Sequence, residues 1–260
     1  MKITTLIENT ALSPDLTAEH GLSLFVEAAG HRFLFDAGQS AAFADNAGRL
    51  GIDLRTAEFA VLSHGHYDHG GGMGRFLSEN RTAHVYVNEN AFGGHYNAVG
   101  RYIGLDEALR SSSRLILTGD AHTIAPGLTL HTCNDRPRRS PIEPFGLTER
   151  VGDFLLPEEF RHEQALLIEE NSKRVLLSGC AHKGVLNLLD WFRPDVFVGG
   201  FHFKQLSPTD PRLKAWGERM AAYDTAFYTG HCTGAEQYAV LKDILGDRLN
   251  ALSTGAVFEI

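Results

Sequence analysis

The run Ser63-His64-Gly65-His66-Tyr67-Asp68-His69-Gly70 puts three imidazoles and a carboxylate within six residues, directly after the largely apolar Ala57-Glu58-Phe59-Ala60-Val61-Leu62. Neutral imidazole and carboxylate are ligands of borderline cations such as zinc, and a loop leaving a buried strand can converge side chains that a helix or strand would splay. His64 and His66 alternate, so extended backbone points both one way. Asp68 and His69 lie past the turn and can reach a second cation beside the first.

More ligands are needed than one loop supplies, and they are expected at the ends of later strands. Val175-Leu176-Leu177-Ser178-Gly179-Cys180-Ala181-His182 gives a strand, a glycine turn, a thiol and an imidazole in sequence. Ala226-Phe227-Tyr228-Thr229-Gly230-His231-Cys232 repeats the device, and Val196-Phe197-Val198-Gly199-Gly200-Phe201-His202 places an imidazole after a double glycine. His182 and His231 are therefore expected as ligands. His202 either ligates or sits over the open metal face and hydrogen-bonds an oxyanion or a phosphate oxygen.

The His-x-His-x-Asp-His run resembles the first ligand motif of the metallo-β-lactamase superfamily, and Phe33-Leu34-Phe35-Asp36-Ala37-Gly38 resembles its strand ending in Asp-x-Gly. Together with Ser178-Gly179-Cys180-Ala181-His182, Gly199-Gly200-Phe201-His202 and His231-Cys232-Thr233-Gly234, it is similar to the branch named for 7,8-dihydropterin-6-ylmethyl-4-(ribofuranosyl)aminobenzene-5′-phosphate synthase. The resemblance implies an α/β fold, a four-layer αββα sandwich binding one or two Zn²⁺, with Fe or Mn as alternatives. It assigns His64, His66 and His182 to a first site and Asp68, His69 and His231 to a second. Where hydrolases of the superfamily carry a bridging Asp, this chain has Cys180. Either that thiolate ligates, favouring Zn²⁺, or the second site has only three protein ligands.

Di-iron oxidoreductases of this fold place a carboxylate where His66 stands, so the resemblance disfavours redox chemistry. What remains is Lewis-acid chemistry, with Asp68 orienting water as well as ligating and Asp36 supporting the metal loop by hydrogen bonds. Three functions follow: a metal-dependent hydrolase of a small anionic phosphoester or lactone, a dihydropterin-type transferase, and a non-catalytic module that binds metal and ligand. Asp68 and His202 are the catalytic candidates. Arg136, Arg138, Arg139, Lys183 and Lys204 could meet an anionic group, and Tyr67, Phe201 and Phe203 a planar ring. His84, His95, His122, His131 and His162 are read as surface or packed imidazoles, with His95 closest in sequence context to a site and Glu163 a candidate support.

The elements that must carry these residues alternate between short strand-like runs and helical stretches. Strands are expected near 2–8, 21–28, 31–36, 58–63, 83–88, 114–118, 127–132, 164–169, 174–178, 195–199, 225–229 and 255–259. Ala29-Gly30 makes a hairpin of the second and third. Helices are expected at 39–50, ending before Gly51, and near 184–192, 211–223 and 235–245, with Asp210-Pro211 as a start and Gly246 as a stop. The stretch 133–163 reads as a lid-like loop. One domain over 1–260 is expected, its halves meeting near 130.

A net charge of −8 and a pI near 5.9 argue against a nucleic-acid partner. Three cysteines without a C-x-x-C pair suit a reducing compartment. Uncharged apolar runs fall short of the roughly 18 residues of a membrane span, so a cytoplasmic protein with a small-molecule partner is expected. An edge strand would support a homodimer.

Overall fold

The computed structural model describes residues 1–260. Its chain begins with β1 (Lys2–Ile7), β2 (Ser23–Ala28), β3 (His31–Phe35), α1 (Ala42–Arg49), β4 (Phe59–Val61), α2 (Tyr67–Gly70), α3 (Met73–Glu79), β5 (His84–Asn88), β6 (Gly94–Tyr96) and β7 (Leu115–Thr118). It continues through β8 (Ala121–Ala125), β9 (Leu128–His131), β10 (Thr148–Val151), β11 (Phe154–Pro157), β12 (Ala165–Glu170), β13 (Lys173–Leu177), α4 (Val185–Phe192) and β14 (Val196–Val198). It closes with α5 (Pro211–Ala221), β15 (Ala226–Thr229), α6 (Ala235–Leu245), β16 (Leu249–Ala251) and β17 (Val257–Glu259).

Two seven-stranded sheets run β17-β1-β2-β3-β4-β5-β7 and β16-β15-β14-β13-β12-β9-β8. Side chains alternate between sheet faces, and that period sorts the core into layers. Phe33, Phe35, Phe59 and Val61 meet Leu166, Ile168, Val175, Leu177, Val196 and Val198 between the sheets. Leu34 and Ala60 point the other way, onto Phe43 of α1 and Phe76 of α3. Leu176 and Phe197 likewise face Leu189 of α4, Leu213 of α5 and Leu241 of α6. Strands covered on both faces read as unbroken apolar runs, as Val196-Phe197-Val198 does. The result is the expected αββα sandwich.

The strands β3-β4-β5-β7 and β13-β14-β15-β16 are parallel. Ligands in such sheets gather beyond the carboxyl ends of parallel strands. Asp36 follows β3, Ser63 to Gly70 follow β4, Ser178 to His182 follow β13, Gly199 to His202 follow β14, and Gly230-His231 follow β15.

The hairpin at Ala29-Gly30 forms as expected, with φ of 51° and 80° at its two turn residues, the mirror-image turn whose twist suits a hairpin. Asp210 caps α5 by accepting from the Arg212 N–H, with Pro211 in the first turn. Expected helix 39–50 starts instead at Ala42, because the Ser40 N–H and hydroxyl donate to the Glu19 carboxylate. The halves divide at Gly119-Asp120 rather than near 130. β8 and β9 form a hairpin around Gly127 inside the second sheet, and β17 returns to the edge of the first. The lid-like stretch is not all loop: β10 pairs with β11 on one side and with β6 on the other. Alternation did not mark β11, because Phe154, Leu155 and Leu156 are consecutive and all exposed. No helix is long and apolar enough to cross a membrane.

Candidate metal centre

Asp36 is fully buried and holds φ at 58°, a left-handed conformation that Asp tolerates better than most residues. Its carboxylate accepts from the Ser63 N–H at 2.7 Å, the Ser63 hydroxyl at 2.7 Å and His69 Nδ1 at 2.7 Å. The Ser63 hydroxyl, having donated its proton, accepts in turn from His64 Nδ1 at 2.8 Å. One carboxylate thus fixes two tautomers. In both rings Nδ1 carries the proton and Nε2 keeps its lone pair, the assignment following from the partners. Carboxylate-to-imidazole bonds of this kind orient metal ligands and raise their basicity.

The same device serves His231. Its Nδ1 lies 3.1 Å from Asn9 Oδ1, and its N–H donates to Glu8, leaving Nε2 free. Nε2 of His231 is 3.2 Å from Nε2 of His69 and 3.2 Å from Asp68 Oδ2, while His69 Nε2 is 3.9 Å from that oxygen. Two lone pairs face one another across 3.2 Å, which is unfavourable unless a proton or cation lies between them. Zinc–nitrogen bonds of about 2.0–2.1 Å in a tetrahedron separate two ligands by roughly 3.3 Å, so the triangle fits a bound ion. Burial alone would raise the Asp68 carboxyl, but His69, His20 and His231 together draw it well below the usual carboxylate range. Burial pushes His231 down to about 4, keeping its ring neutral.

His64, His66 and His182 form a second triangle, with ring centroids 4.7, 4.9 and 5.0 Å apart. Nε2 of His64 and both ring nitrogens of His182 are buried without a partner. Buried polar atoms are rarely left so, and a cation between the rings would take one nitrogen from each. His182 is held from three sides: Phe160 stacks on it at 4.3 Å, its N–H donates to Glu163 at 2.7 Å, and the Lys183 N–H donates to the other Glu163 oxygen at 2.8 Å. Cys180 Sγ lies 3.2 Å from His69 Nε2, within ligand range of the His64–His69 pair and of His231. Burial raises its thiol pKa well above the ordinary value, so only a nearby cation would make it a thiolate.

Gly179 and Gly200 explain the glycines before these ligands. A Cβ on Gly179 would strike Ser63 Oγ and His64 Nδ1, and one on Gly200 would strike Cys232 Sγ. Ala181, His202 and His231 also adopt positive φ, at 51°, 57° and 49°. Such costly conformations cluster at functional sites.

A cavity of about 740 Å³, including its mouth, opens over both triangles and is bordered by Tyr67, Asp68, Cys180, His202, Lys204 and His231. Five of the seven expected ligands, His66, Asp68, Cys180, His182 and His231, line this cavity, and His64 and His69 are buried behind them. A sequence model of the metallo-beta-lactamase superfamily matches residues 16–223. The chain belongs to the metallo-β-lactamase superfamily. It is similar to an uncharacterized protein of Methanocaldococcus jannaschii, at 28% identity covering 93% of this chain and 94% of that protein. It is also similar to the 7,8-dihydropterin-6-methyl-4-(beta-D-ribofuranosyl)-aminobenzene-5'-phosphate synthase of the same organism, at 24% identity covering 100% of this chain and 96% of that one. Among solved structures it resembles Tm1679, described as a metal-dependent hydrolase of the beta-lactamase superfamily, with a TM-score of 0.81, 26% identity and coverage of 100% and 99%.

Several expectations for this member of the metallo-β-lactamase superfamily need correction. His95 and His162 are not bystanders: with His66 they surround Glu158, whose side chain is fully buried. The two Glu158 oxygens lie 3.4 Å from His66 Nε2, and Oε1 lies 2.7 Å from His162 Nε2. His95 Nδ1 is 2.6 Å from Oε1 but out of line for a hydrogen bond. By distance alone this group could hold an ion. However, His162 Nδ1 accepts from the Gly65 N–H at 2.8 Å, so its Nε2 carries the proton and donates to Glu158. The group instead supports His66, receiving Nε2–H and leaving Nδ1 for a cation. Burial would raise Glu158, yet its hydrogen bond with His162 and the close approach of His66 and His95 hold it well below the usual range.

The basic groups mostly turn away. Lys183 is buried, donating to the carbonyls of Thr132 and Glu163 and to Asn134, and burial lowers it to about 8. Arg136 stacks on Phe192, and Arg139 pairs with Asp190 at 3.5 Å. Only Lys204 borders the cavity. Phe201 is core, whereas Tyr67 does reach the rim. His20, unremarked in the sequence, lies 3.3 Å from Asp68 Oδ2.

Glu158→Gln is expected to weaken metal binding about 10- to 100-fold without unfolding the chain, measured by competition with a chromophoric chelator. An unchanged affinity would remove Glu158 from the support of His66.

Proposed function

We propose that this chain is a metal-dependent hydrolase that cleaves a small anionic substrate, a phosphoester or lactone, with Zn²⁺ as the resident ion. The observation that carries the reading is the preset tautomer of His64, His69 and His231, with the free Nε2 atoms of His69 and His231 meeting beside the Asp68 carboxylate. His64, His66 and His182 would hold one ion, and Asp68, His69 and His231, joined by Cys180, a second. A bound zinc ion supplies Lewis acidity and lowers the pKa of bound water from 15.7 to about 7.

The chain's own residues would do the remainder. Lys204 at the cavity rim gives an anionic group its one close lysine, and His20 adds a second donor. Asp68 accepts a proton or hydrogen bond from attacking water. His202, whose Nδ1 has no partner, would hydrogen-bond the oxygen that gains charge. The description of Tm1679 as a metal-dependent hydrolase, over the whole length of both chains, supports this class.

A transferase reading is favoured by one observation, the full-length similarity to the aminobenzene-phosphate synthase. A module that binds metal without catalysis would keep the ligands and turn nothing over. The test is turnover by zinc-loaded protein of bis(p-nitrophenyl) phosphate and of a panel of lactones. Chelator-reversible hydrolysis is expected. Failure on all of them, with turnover of a dihydropterin and an aminobenzene ribosyl phosphate, would replace the hydrolase by the transferase.

A further inference from the structure

The three-stranded sheet β11-β10-β6 is separate from the two large sheets, and its outer strand β11 has no strand on its free side. Four of the nine large apolar side chains exposed on the whole chain lie on this one hairpin: Val151 at 51%, Phe154 at 72%, Leu155 at 47% and Leu156 at 46%. Native proteins blunt a free edge with charges, proline or a covering element. Phe154–Pro157 carries no charge and only a terminal proline.

The strand register decides which backbone groups of β11 are free. Val151 pairs with Phe154 and Thr148 with Pro157, and the Glu158 N–H donates to the Leu147 carbonyl at 3.1 Å. Antiparallel hydrogen bonding alternates along a strand, so Phe154 and Leu156, like Glu158, turn their backbone groups toward β10. Leu155 turns its N–H and C=O outward. Pro157 also faces outward, where its missing N–H costs nothing. A two-fold axis through Leu155 makes this edge self-matching, because Leu155 exchanges both hydrogen bonds with Leu155 of a second copy. Phe154 then lies opposite Leu156 of that copy. On that face Val151, Phe154 and Leu156 of both copies would form one apolar strip.

We propose that two copies of this chain pair edge to edge through β11, antiparallel about Leu155, joining their three-stranded sheets into one of six strands. The exposed area suits a second copy as the occupant. Val151, Phe154, Leu155 and Leu156 expose on the order of 400 Å² of apolar surface per copy, close to the apolar share of a standard interface of about 800 Å² per partner. Charge argues against an anionic lipid surface instead. The hairpin 148–157 has no lysine, its one arginine, Arg150, lies over the Tyr96 ring at 5.2 Å, and the chain carries a net charge of −8. Pairing would also tie two lids together, because Leu147 before β10 and Asn97 after β6 border the metal cavity. It is independent of which reaction the metal centre performs.

The test is sedimentation equilibrium of the zinc-loaded full chain across the micromolar range, with hydrogen exchange of the Leu155 amide as a second readout. A species of twice the 28.6 kDa chain mass is expected, with the Leu155 amide protected in the dimer and open in the dilute monomer. Leu155→Pro removes the outward N–H without touching a bond to β10, and Phe154→Glu sets a carboxylate against Leu156 of the second copy. Each should weaken the dimer at least tenfold. Phe154 is 72% exposed, so its variant stands if Leu155→Pro misfolds. A monomer at every concentration, or a dimer indifferent to both variants, would overturn the pairing. A monomer that binds phosphatidylcholine vesicles through this hairpin would replace the second copy by a lipid surface.

Discussion

Replacing His66 with Ala is expected to strip one metal equivalent from the protein and to lower turnover by about three orders of magnitude or more, the loss of ~4 kcal/mol of transition-state stabilisation. His66 stands at the meeting point of two groups. Its ring packs against His64 and His182 on one side and faces Glu158 on the other. The substitution therefore removes a ligand and also leaves the buried Glu158 carboxylate without one of its donors. Metal content and turnover should fall together. Activity retained by metal-free His66→Ala would end the metal mechanism.

Asp36→Ala should produce the largest loss of stability in the site, about 3–5 kcal/mol, because removing one partner of a buried charged network leaves the others unsatisfied. Three donors converge on Asp36, from the Ser63 backbone, the Ser63 hydroxyl and His69. Alanine also tolerates the φ of 58° less well than Asp. Asp36→Asn keeps the backbone tolerance, so comparing the two in urea unfolding separates strain from lost charge. Both variants should lose metal affinity, since His64 and His69 no longer have their tautomers fixed. A midpoint within experimental error of wild type for Asp36→Ala would show that the network does not hold the loop.

The grouping of these side chains was legible because they follow apolar strands close to glycines, and because four of them share one loop. Burial makes such strands conspicuous, and the glycines mark where the backbone is crowded, Gly65 by the Ala91 backbone, Gly179 by Ser63 and His64, and Gly200 by Cys232. What supports the ligands was far less legible. Glu158 and His66 are 92 residues apart, and Asn9 reaches His231 across 222. No local period announces such contacts, and Glu158 follows an exposed apolar strand that reads as lid. His162, four residues after Glu158, is the one local hint. The basic residues misled for a similar reason: Arg136, Arg139 and Lys183 lie near the site in sequence, but α4 and Glu163 offer them partners first. The split of Phe33 and Phe35 from Leu34 between two layers follows from alternation, which depends only on the pleat.

The most direct test is the metal content of the chain purified without added metal or chelator, measured per chain by elemental mass spectrometry. The two triangles predict close to two zinc equivalents, falling to about one in His66→Ala. A chain that carries no metal and takes none up on titration would contradict the account at its centre.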